Sequence, residues 1–359
     1  MSTNYTGNST ATQAPSAAPG PGVTPIVVIP ADGDALSAAS VTQNMKVSAD
    51  FLTWLLSKGG AAGLFGDGSD GTVTLDGSVA APAWATKVGS VYTMTRDAYC
   101  ADLTVTGAST QLCTAGCRLY VKGTLTTAAG AIIHNNGGNA SGTTGGGGGF
   151  ATLLPAGTQG GAGGTAVPAN GSAGTNQAAG VFGFGAVGGV GGGGNTTTGG
   201  ASGTVNLPGS GYTPRGYSPI LLGSMALTTS SIGGTLALVS AALAGGAGGG
   251  GGGGGGGTGG GGGGGGGTVA IAARNVVLAN AGDIQAKGGN GVNPAGTNAG
   301  AGAGGGGGTV LLYYWTVTLS AGSFGGSTNC PGGSAGVNTG SGAAPTASSN
   351  GQIFAVQLV

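Results

Sequence analysis

The 359-residue sequence contains no glutamate and only one histidine, His134, with nine aspartates balanced by nine lysines and arginines. Charged and aromatic residues each make up only 5% of the chain. Acid–base catalysis depends on positioned carboxylates and imidazoles, and nucleic-acid binders carry a basic patch or stripe that is missing here. The composition therefore predicts a non-enzymatic protein with no cofactor and no nucleic-acid partner.

The few groups that could carry chemistry have structural interpretations. His134 follows two isoleucines before a turn and is expected to stabilise that turn or to lie at the surface. Asp97 and Asp102 could form a glycosidase-type pair, but both lie in a rhythm of short strands and turns. Cys113 and Cys117 lack the second close pair that a zinc site needs. We therefore expect four reduced, structural cysteines, no metal and no catalytic residue.

Targeting and membrane segments are also lacking. The N-terminal residues are polar and have neither the basic region nor the apolar region of a secretory signal. The most apolar stretch, 236–243, is too short to span a bilayer. We expect a protein that is made in a host cytoplasm, is not exported by that route and does not insert into a membrane.

Glycine is what the sequence has in excess, with 91 residues and two nearly uninterrupted runs at 248–257 and 259–267. Disordered chains combine low hydrophobicity with high net charge, whereas this chain has zero net charge and a positive mean hydropathy. Extended glycine segments with three residues per turn make no internal hydrogen bonds, so they can bond to one another side by side. The sequence favours such a polyglycine II-type bundle over the alternative, a flexible linker.

The β segments of the chain repeat. Residues 118–138 align without gaps onto 270–290, and 304–326 form a third copy that matches 263–284 with one residue deleted. The first alignment pairs Leu119 with Ile271, Leu125 with Val277, and Ile132 with Ile284. These patterns predict a mainly β fold in which short-strand β-solenoid or sandwich-like repeats are interleaved with the polyglycine II-type bundle, together with one N-terminal helix.

Five segments are predicted along the chain: an extended arm (1–30), a helical anchor or oligomerisation segment (31–60), a β domain (61–136), a glycine-rich bundle (137–267) and a β/glycine C-terminal region (268–359). The helix is expected to contact copies of itself or another subunit, or alternatively its own β domain. Its candidate contact residues are Val41, Met45, Phe51, Leu52, Trp54 and Leu55.

Aromatic side chains and arginine are the candidates for surface binding, because these residue types carry much of the contact energy at interfaces. Tyr313 and Trp315 are instead expected to cap the β core. The candidate surface residues are Phe182, Phe184, Tyr212, Arg215, Tyr217 and Tyr314.

The Ala-Asp-Gly-Asp segment at 31–34, the segment TRDAYCADLTVTGASTQLCTAGCRLYVKGTLTTAAGAI at 95–132 and the glycine blocks resemble minor structural and tail-fibre-like proteins of tailed bacteriophages and prophages. The glycine bundle is similar to the glycine-sandwich domain of phage tail-fibre tip adhesins, whose loops contact host receptors. The β-solenoid-like repeat between glycine runs departs from the adhesin pattern, so tail fibre, head fibre and capsid decoration protein all stay open.

The resemblance implies a structural protein located in the virion. We expect a homo-oligomer, taken as a trimer, held to other virion proteins by its N-terminal arm. Its distal loops would attach to a host surface glycan or outer-membrane protein. The alternatives are a bacterial surface or ice-binding protein built on a polyglycine bundle and, on weaker grounds, a polysaccharide depolymerase.

Overall fold

The structure is a computed structural model that describes residues 65–165, 168–176, 186–204, 245–339 and 341–357. All of these belong to one unit, Ala62–Val359. The predicted arm and the predicted helix, with its candidate contact residues from Val41 to Leu55, lie outside the described residues.

The described chain is mainly β, as predicted. Within these ranges no helix has the length and apolar character that crossing a membrane requires. The helical elements are a 3-10 turn, Ala281–Asp283, and a short helix α1, Gly326–Asn329. The strands are β1 (Thr72–Leu75), β2 (Ala85–Val88), β3 (Val91–Met94), β4 (Ala98–Cys100), β5 (Asp102–Val105), β6 (Gln111–Cys113), β7 (Arg118–Thr127), β8 (Ile132–His134), β9 (Gly256–Thr258), β10 (Thr268–Leu278), β11 (Ile284–Gln285), β12 (Ala295–Thr297), β13 (Thr309–Leu319) and β14 (Gln352–Gln357).

Two sheets contain almost all of these strands. Sheet 1 has the order β1-β5-β7-β10-β13-β14, with β4 also pairing with β7, and its strand pairs are all parallel. Sheet 2 has the order β11-β8-β6-β3-β2, in which only β2 and β3 pair antiparallel. In three successive repeats a strand of sheet 1 is followed by a turn and a strand of sheet 2, so the chain passes from one sheet to the other. Sheet 1 takes strands from both 61–136 and 268–359, which therefore build one unit.

The hydrophobic core lies between the two sheets. Side chains alternate across a strand, and the inward set of sheet 1 includes Leu119, Leu125 and Ile271. Tyr92 and Ile133 of sheet 2 belong to the same buried cluster. The short strands thus supply a continuous apolar core although large apolar residues are few.

The pairing of β7 with β10 tests the predicted repeat. Leu119 lies opposite Ile271, which confirms the first part of the alignment. The gapless alignment is wrong beyond that point, because a bulge shifts the register and brings Leu125 opposite Val276. Two residues of β7, Lys122 and Gly123, occupy the space that one residue occupies in β10.

The third copy keeps its register throughout the strand. β10 and β13 pair from Thr268 opposite Thr309 to Leu278 opposite Leu319 without a shift. The deleted residue of the third copy therefore lies in the turn that follows the strand. Loops and turns tolerate such length changes better than paired strands do.

Three glycine-rich segments lie at the centre of a second assembly, which we call the glycine array. They are core segments 1 (245–255), 2 (257–267) and 3 (299–308). In core segment 1 every third backbone N–H, starting from Gly246, donates to core segment 2. Every third N–H starting from Ala247 donates to the segment 186–194, and every third N–H starting from Gly248 donates to the segment 168–176. The backbone carbonyls of core segment 1 also bond to three neighbours in turn, with a repeat of three residues. They accept hydrogen bonds from N–H groups of the segments 156–165 and 197–204 and of core segment 3. These bonds give core segment 1 a hydrogen-bonded neighbour on every side.

Core segments 2 and 3 are bonded in the same way to one another, to core segment 1 and to the segments around them. The residues from 245 to 254 are all buried although almost none has a side chain. The outer segments of the array are 135–142, 143–149, 156–165, 168–176, 186–194, 197–204, 286–293, 330–339 and 341–351.

Close approach of backbones is the reason that these positions are glycine. A Cβ placed on Gly251 would collide with the carbonyl of Ala162, and one on Gly302 with the carbonyl of Gly261. None of the glycines in the core segments has a φ in the left-handed region. The array therefore requires the absence of a side chain and not the conformational freedom of glycine.

Adjacent glycines of one outer segment provide a matched test. A Cβ on Gly148 would collide with the carbonyl of Gly157, whereas a Cβ on Gly147 would meet no atom within 4 Å. We expect Gly148→Ala to lower the free energy of unfolding by about 3 kcal/mol or more, because the backbones must separate. Gly147→Ala should stay within about 0.5 kcal/mol of the wild type. Urea unfolding of both variants measures this, and equal destabilisation would contradict the close-packed array.

Candidate functional site

The structure describes only one of the predicted surface-binding residues. Phe182, Phe184, Tyr212, Arg215 and Tyr217 lie outside the described residues. Tyr314 is only 8% exposed and belongs to the core between the sheets. Its prediction as a surface contact is wrong.

The reason lies in how side chains alternate along β13. Val310, Leu312 and Tyr314 point into the core, whereas Tyr313 is buried on the other face of sheet 1 at 6% exposure, as predicted. The inward positions then shift to Val317 and Leu319. Trp315 follows Leu311 and Tyr313 on the outer face, where it is 37% exposed, so the prediction that it caps the core is wrong.

The aspartates predicted to be structural hold turns and strands together. Asp97 accepts hydrogen bonds from the backbone N–H and the Nε of Arg118 at 2.7 and 2.8 Å, and it forms an ion pair with Nη2 at 2.7 Å. Asp102 accepts from the N–H of Thr124 at 2.8 Å. Hydrogen bonds from nearby backbone N–H groups hold the pKa of Asp67 and of Asp76 below the usual range.

The four cysteines are all buried free thiols. Burial raises the pKa of Cys100 and of Cys330 to about 12, so both stay protonated at neutral pH and are poor nucleophiles. Among the residues that the structure describes, no group of three histidine, cysteine or acidic side chains is placed to hold a metal ion.

His134 lies at the end of β8, and its Nδ1 accepts a hydrogen bond from the backbone N–H of Asn136 at 3.3 Å. This contact fits its predicted role in stabilising the turn. The Nε2 atom is buried without a hydrogen-bond partner. Burial lowers the pKa of His134 to about 4, so the imidazole is neutral at physiological pH.

A buried neutral histidine makes stability depend on pH. Between about pH 4 and pH 6.5 the unfolded chain binds a proton on His134 that the folded chain does not, so stability rises with pH in this window. The loss on acidification should be about 3 kcal/mol at most. We expect His134→Gln to remove most of this dependence in urea unfolding measured from pH 4 to 7. An unchanged pH profile in the variant would contradict the assignment, since Asp67 and Asp76 titrate below this window.

Asparagine side chains at the edges of the glycine array are a feature that the sequence analysis missed. Each accepts, through Oδ1, a hydrogen bond from a backbone N–H of the neighbouring segment, and we call them asparagine caps. One face, formed by 135–142, 286–293 and 330–339, has four of them. On this face the caps and the residues whose N–H groups they accept from are Asn136 with Lys287, Asn139 with Asn290, Asn290 with Ser334, and Asn293 with Val337, at 2.8–2.9 Å. Elsewhere the pairs are Asn170 with Thr198, Asn176 with Thr204, and Asn350 with Gly332, at 2.9–3.0 Å.

At the edge of the array no further glycine segment in the described ranges supplies carbonyl acceptors. The caps accept from the N–H groups there, so these backbone groups still have hydrogen-bond partners. Their sequence signal is a spacing of three beside glycine, as in Asn136 and Asn139 or Asn290 and Asn293. This spacing matches the period of three in the hydrogen bonds of the core segments.

Removal of one cap should cost about 1 kcal/mol, the net worth of a typical hydrogen bond. We expect Asn290→Ala to lower the free energy of unfolding by this amount, because the N–H of Ser334 loses its acceptor. Asn290→Asp keeps an oxygen in place and should lie close to the wild type. Urea unfolding of both variants is the measurement, and equal effects of the two substitutions would argue against capping.

The outer side of sheet 1, towards the ends of its strands, forms a second surface, which we call the polar face. At the bulge it has three exposed side chains on neighbouring strands, Lys122, Arg274 and Trp315. Two ranks of mostly threonine follow, in which Thr316 donates to the Oδ1 of Asn275 at 2.8 Å. The first rank is Thr72, Asp102, Thr124, Asn275 and Thr316, and the second is Thr74, Thr104, Thr126, Val277 and Thr318.

Comparison of the chain with protein-family models, with curated protein sequences and with solved structures gives no match. The arrangement of the described residues is therefore the basis for the functional interpretation.

Proposed function

We propose that this chain is a structural, non-enzymatic protein of a tailed-bacteriophage virion, as a tail fibre, head fibre or capsid decoration, that attaches to the host surface. The observation that carries the proposal is the glycine array and its direct continuity with sheet 1. Glycine 267 precedes β10, glycine 308 precedes β13 and glycine 351 precedes β14. An assembly held by backbone hydrogen bonds in close packing suits a mechanical or adhesive function.

We further propose that the array is a polyglycine II-type bundle and that the two sheets form a β-solenoid. Two observations support this. Hydrogen bonds to successive neighbours recur every third residue, as a helix with three residues per turn requires. The chain also passes repeatedly between the two sheets, from β5 to β6, from β7 to β8 and from β10 to β11.

The chemistry of the described residues supports a structural role. The described carboxylates are engaged in hydrogen bonds to the protein itself, as for Asp97 and Asp283. Zero net charge favours association over free solubility, which suits a subunit of a larger particle. We propose a homotrimer that is held to other virion proteins through the segment 1–60.

Immunogold electron microscopy of purified phage particles tests the proposal. Antibody against the full chain should label one defined part of the particle, head or tail, and preimmune serum should not. The position of the label would distinguish a head fibre or decoration protein from a tail fibre. Particles that carry no label, and in which mass spectrometry finds no peptide of the chain, would overturn the virion assignment.

A further inference from the structure

We propose that the polar face of sheet 1 binds an acidic polysaccharide, with Arg274 holding a carboxylate of the polymer and Trp315 packing against a sugar ring. The inference rests on the proposed attachment to a host surface and names the class of ligand for it. It places a binding site on sheet 1, at side chains that the sequence analysis did not select for surface binding.

The register of sheet 1 brings the two residues together. Ala273 lies opposite Tyr314 and Asn275 lies opposite Thr316, so Arg274 and Trp315 occupy neighbouring strands about 4.8 Å apart. Both are exposed, whereas the six preceding residues of each strand are buried. The pairing of β10 with β13 therefore places a cation and an indole side by side on the surface.

Charge favours an anionic ligand at this place. The salt bridges of the described residues involve only Arg96 with Asp70 and Arg118 with Asp97. Arg274 and Lys122 form no such bridge, and both lie in the row at the bulge. The charge of Lys122 contributes to the lowered pKa of Asp67, so Arg274 is the cation of this row that is left for a ligand. Asp102, an acid in the first rank, accepts from the N–H of Thr124 and from the hydroxyl of Thr72 and keeps its negative charge, so the carboxylate of the ligand is placed at Arg274 and not at the Asp102 end of that rank. The guanidinium of Arg274 has the planar fork that matches a carboxylate.

The other groups of the face match a sugar. An exposed indole offers a large apolar surface with one polar N–H, which suits the C–H face of a pyranose ring. The threonine hydroxyls and the carboxamide of Asn275 can donate and accept hydrogen bonds to sugar hydroxyls. Arg274 and Lys122 are too few cations for a nucleic acid, whose affinity comes from many phosphate contacts.

The repetition of the face favours a polymer over a single sugar. Threonine, or a side chain of similar size, recurs at the same register on five strands. A linear polysaccharide that lies across the strands would meet similar groups at each step. Weak contacts that are linked in this way add up to a useful affinity.

Biolayer interferometry with the full-length protein tests the inference. The probes are polygalacturonate, alginate, hyaluronate and polysialic acid, with dextran as the neutral control and polyglutamate as the polyanion without sugar. We expect at least one acidic polysaccharide to bind, more weakly at high salt, and both controls to bind at least about tenfold more weakly. Failure of all the acidic polysaccharides, or equal binding of polyglutamate, would overturn the proposal.

Variants locate the site. Arg274→Gln and Trp315→Ala should each weaken binding by about tenfold. Arg274→Gln should keep an unfolding midpoint close to that of the wild type because the side chain is exposed. Trp315 is only 37% exposed, so the binding of Trp315→Ala is measured under conditions in which its unfolding curve shows that it is folded. Lys287→Gln removes a cation from the glycine array, and Val337→Ala removes an exposed apolar side chain there, so neither should change affinity. Wild-type affinity in Arg274→Gln and Trp315→Ala would contradict the site. This result is independent of immunogold labelling, which tests the virion assignment alone.

Discussion

The fold depends on one constraint, the satisfaction of backbone hydrogen bonds in segments that have almost no side chains. In the core segments of the glycine array, successive N–H and C=O groups point to different neighbours, so each segment has to be surrounded. This is possible only if the backbones approach more closely than a Cβ allows. A large part of the unit is thus stabilised by hydrogen bonds and close backbone packing, with little contribution from large apolar side chains.

The same constraint aligns sheet 1. Core segment 2 ends at Gly267, and the N–H of Thr309 donates to its carbonyl at 3.1 Å, while the N–H of Gln352 donates to the carbonyl of Gly308 at 3.2 Å. The backbone hydrogen bonds between segments of the array therefore continue directly into those between strands of sheet 1. Because β10, β13 and β14 begin in register at this boundary, their equivalent positions form continuous rows. The positions of Arg274 beside Trp315 and of Asn275 beside Thr316 follow from that alignment.

Several features could be predicted from the sequence because they depend on local pattern. The excess of glycine, the short alternating apolar runs and the repeat that pairs Leu119 with Ile271 were sufficient for a mainly β fold with a repeated unit. The asparagine caps could have been found in the same way, from the spacing of three beside glycine. The extra residue at Lys122 and Gly123 escaped the gapless alignment because a bulge changes register without changing the character of the flanking sequence.

The composition and the repeat by themselves determined the class of fold, the scarcity of catalytic groups and the need for close backbone contact at the glycines. Only the tertiary structure decided which side of the sheet each aromatic occupies, since Tyr314 belongs to the core between the sheets and Tyr313 to the cluster on the other face. It also decided which cations are neutralised, because Arg96 forms an ion pair with Asp70 and Arg118 forms one with Asp97, whereas Arg274 forms none with the described residues. The physical reason is that side-chain direction and charge pairing depend on contacts between strands that are far apart in the sequence.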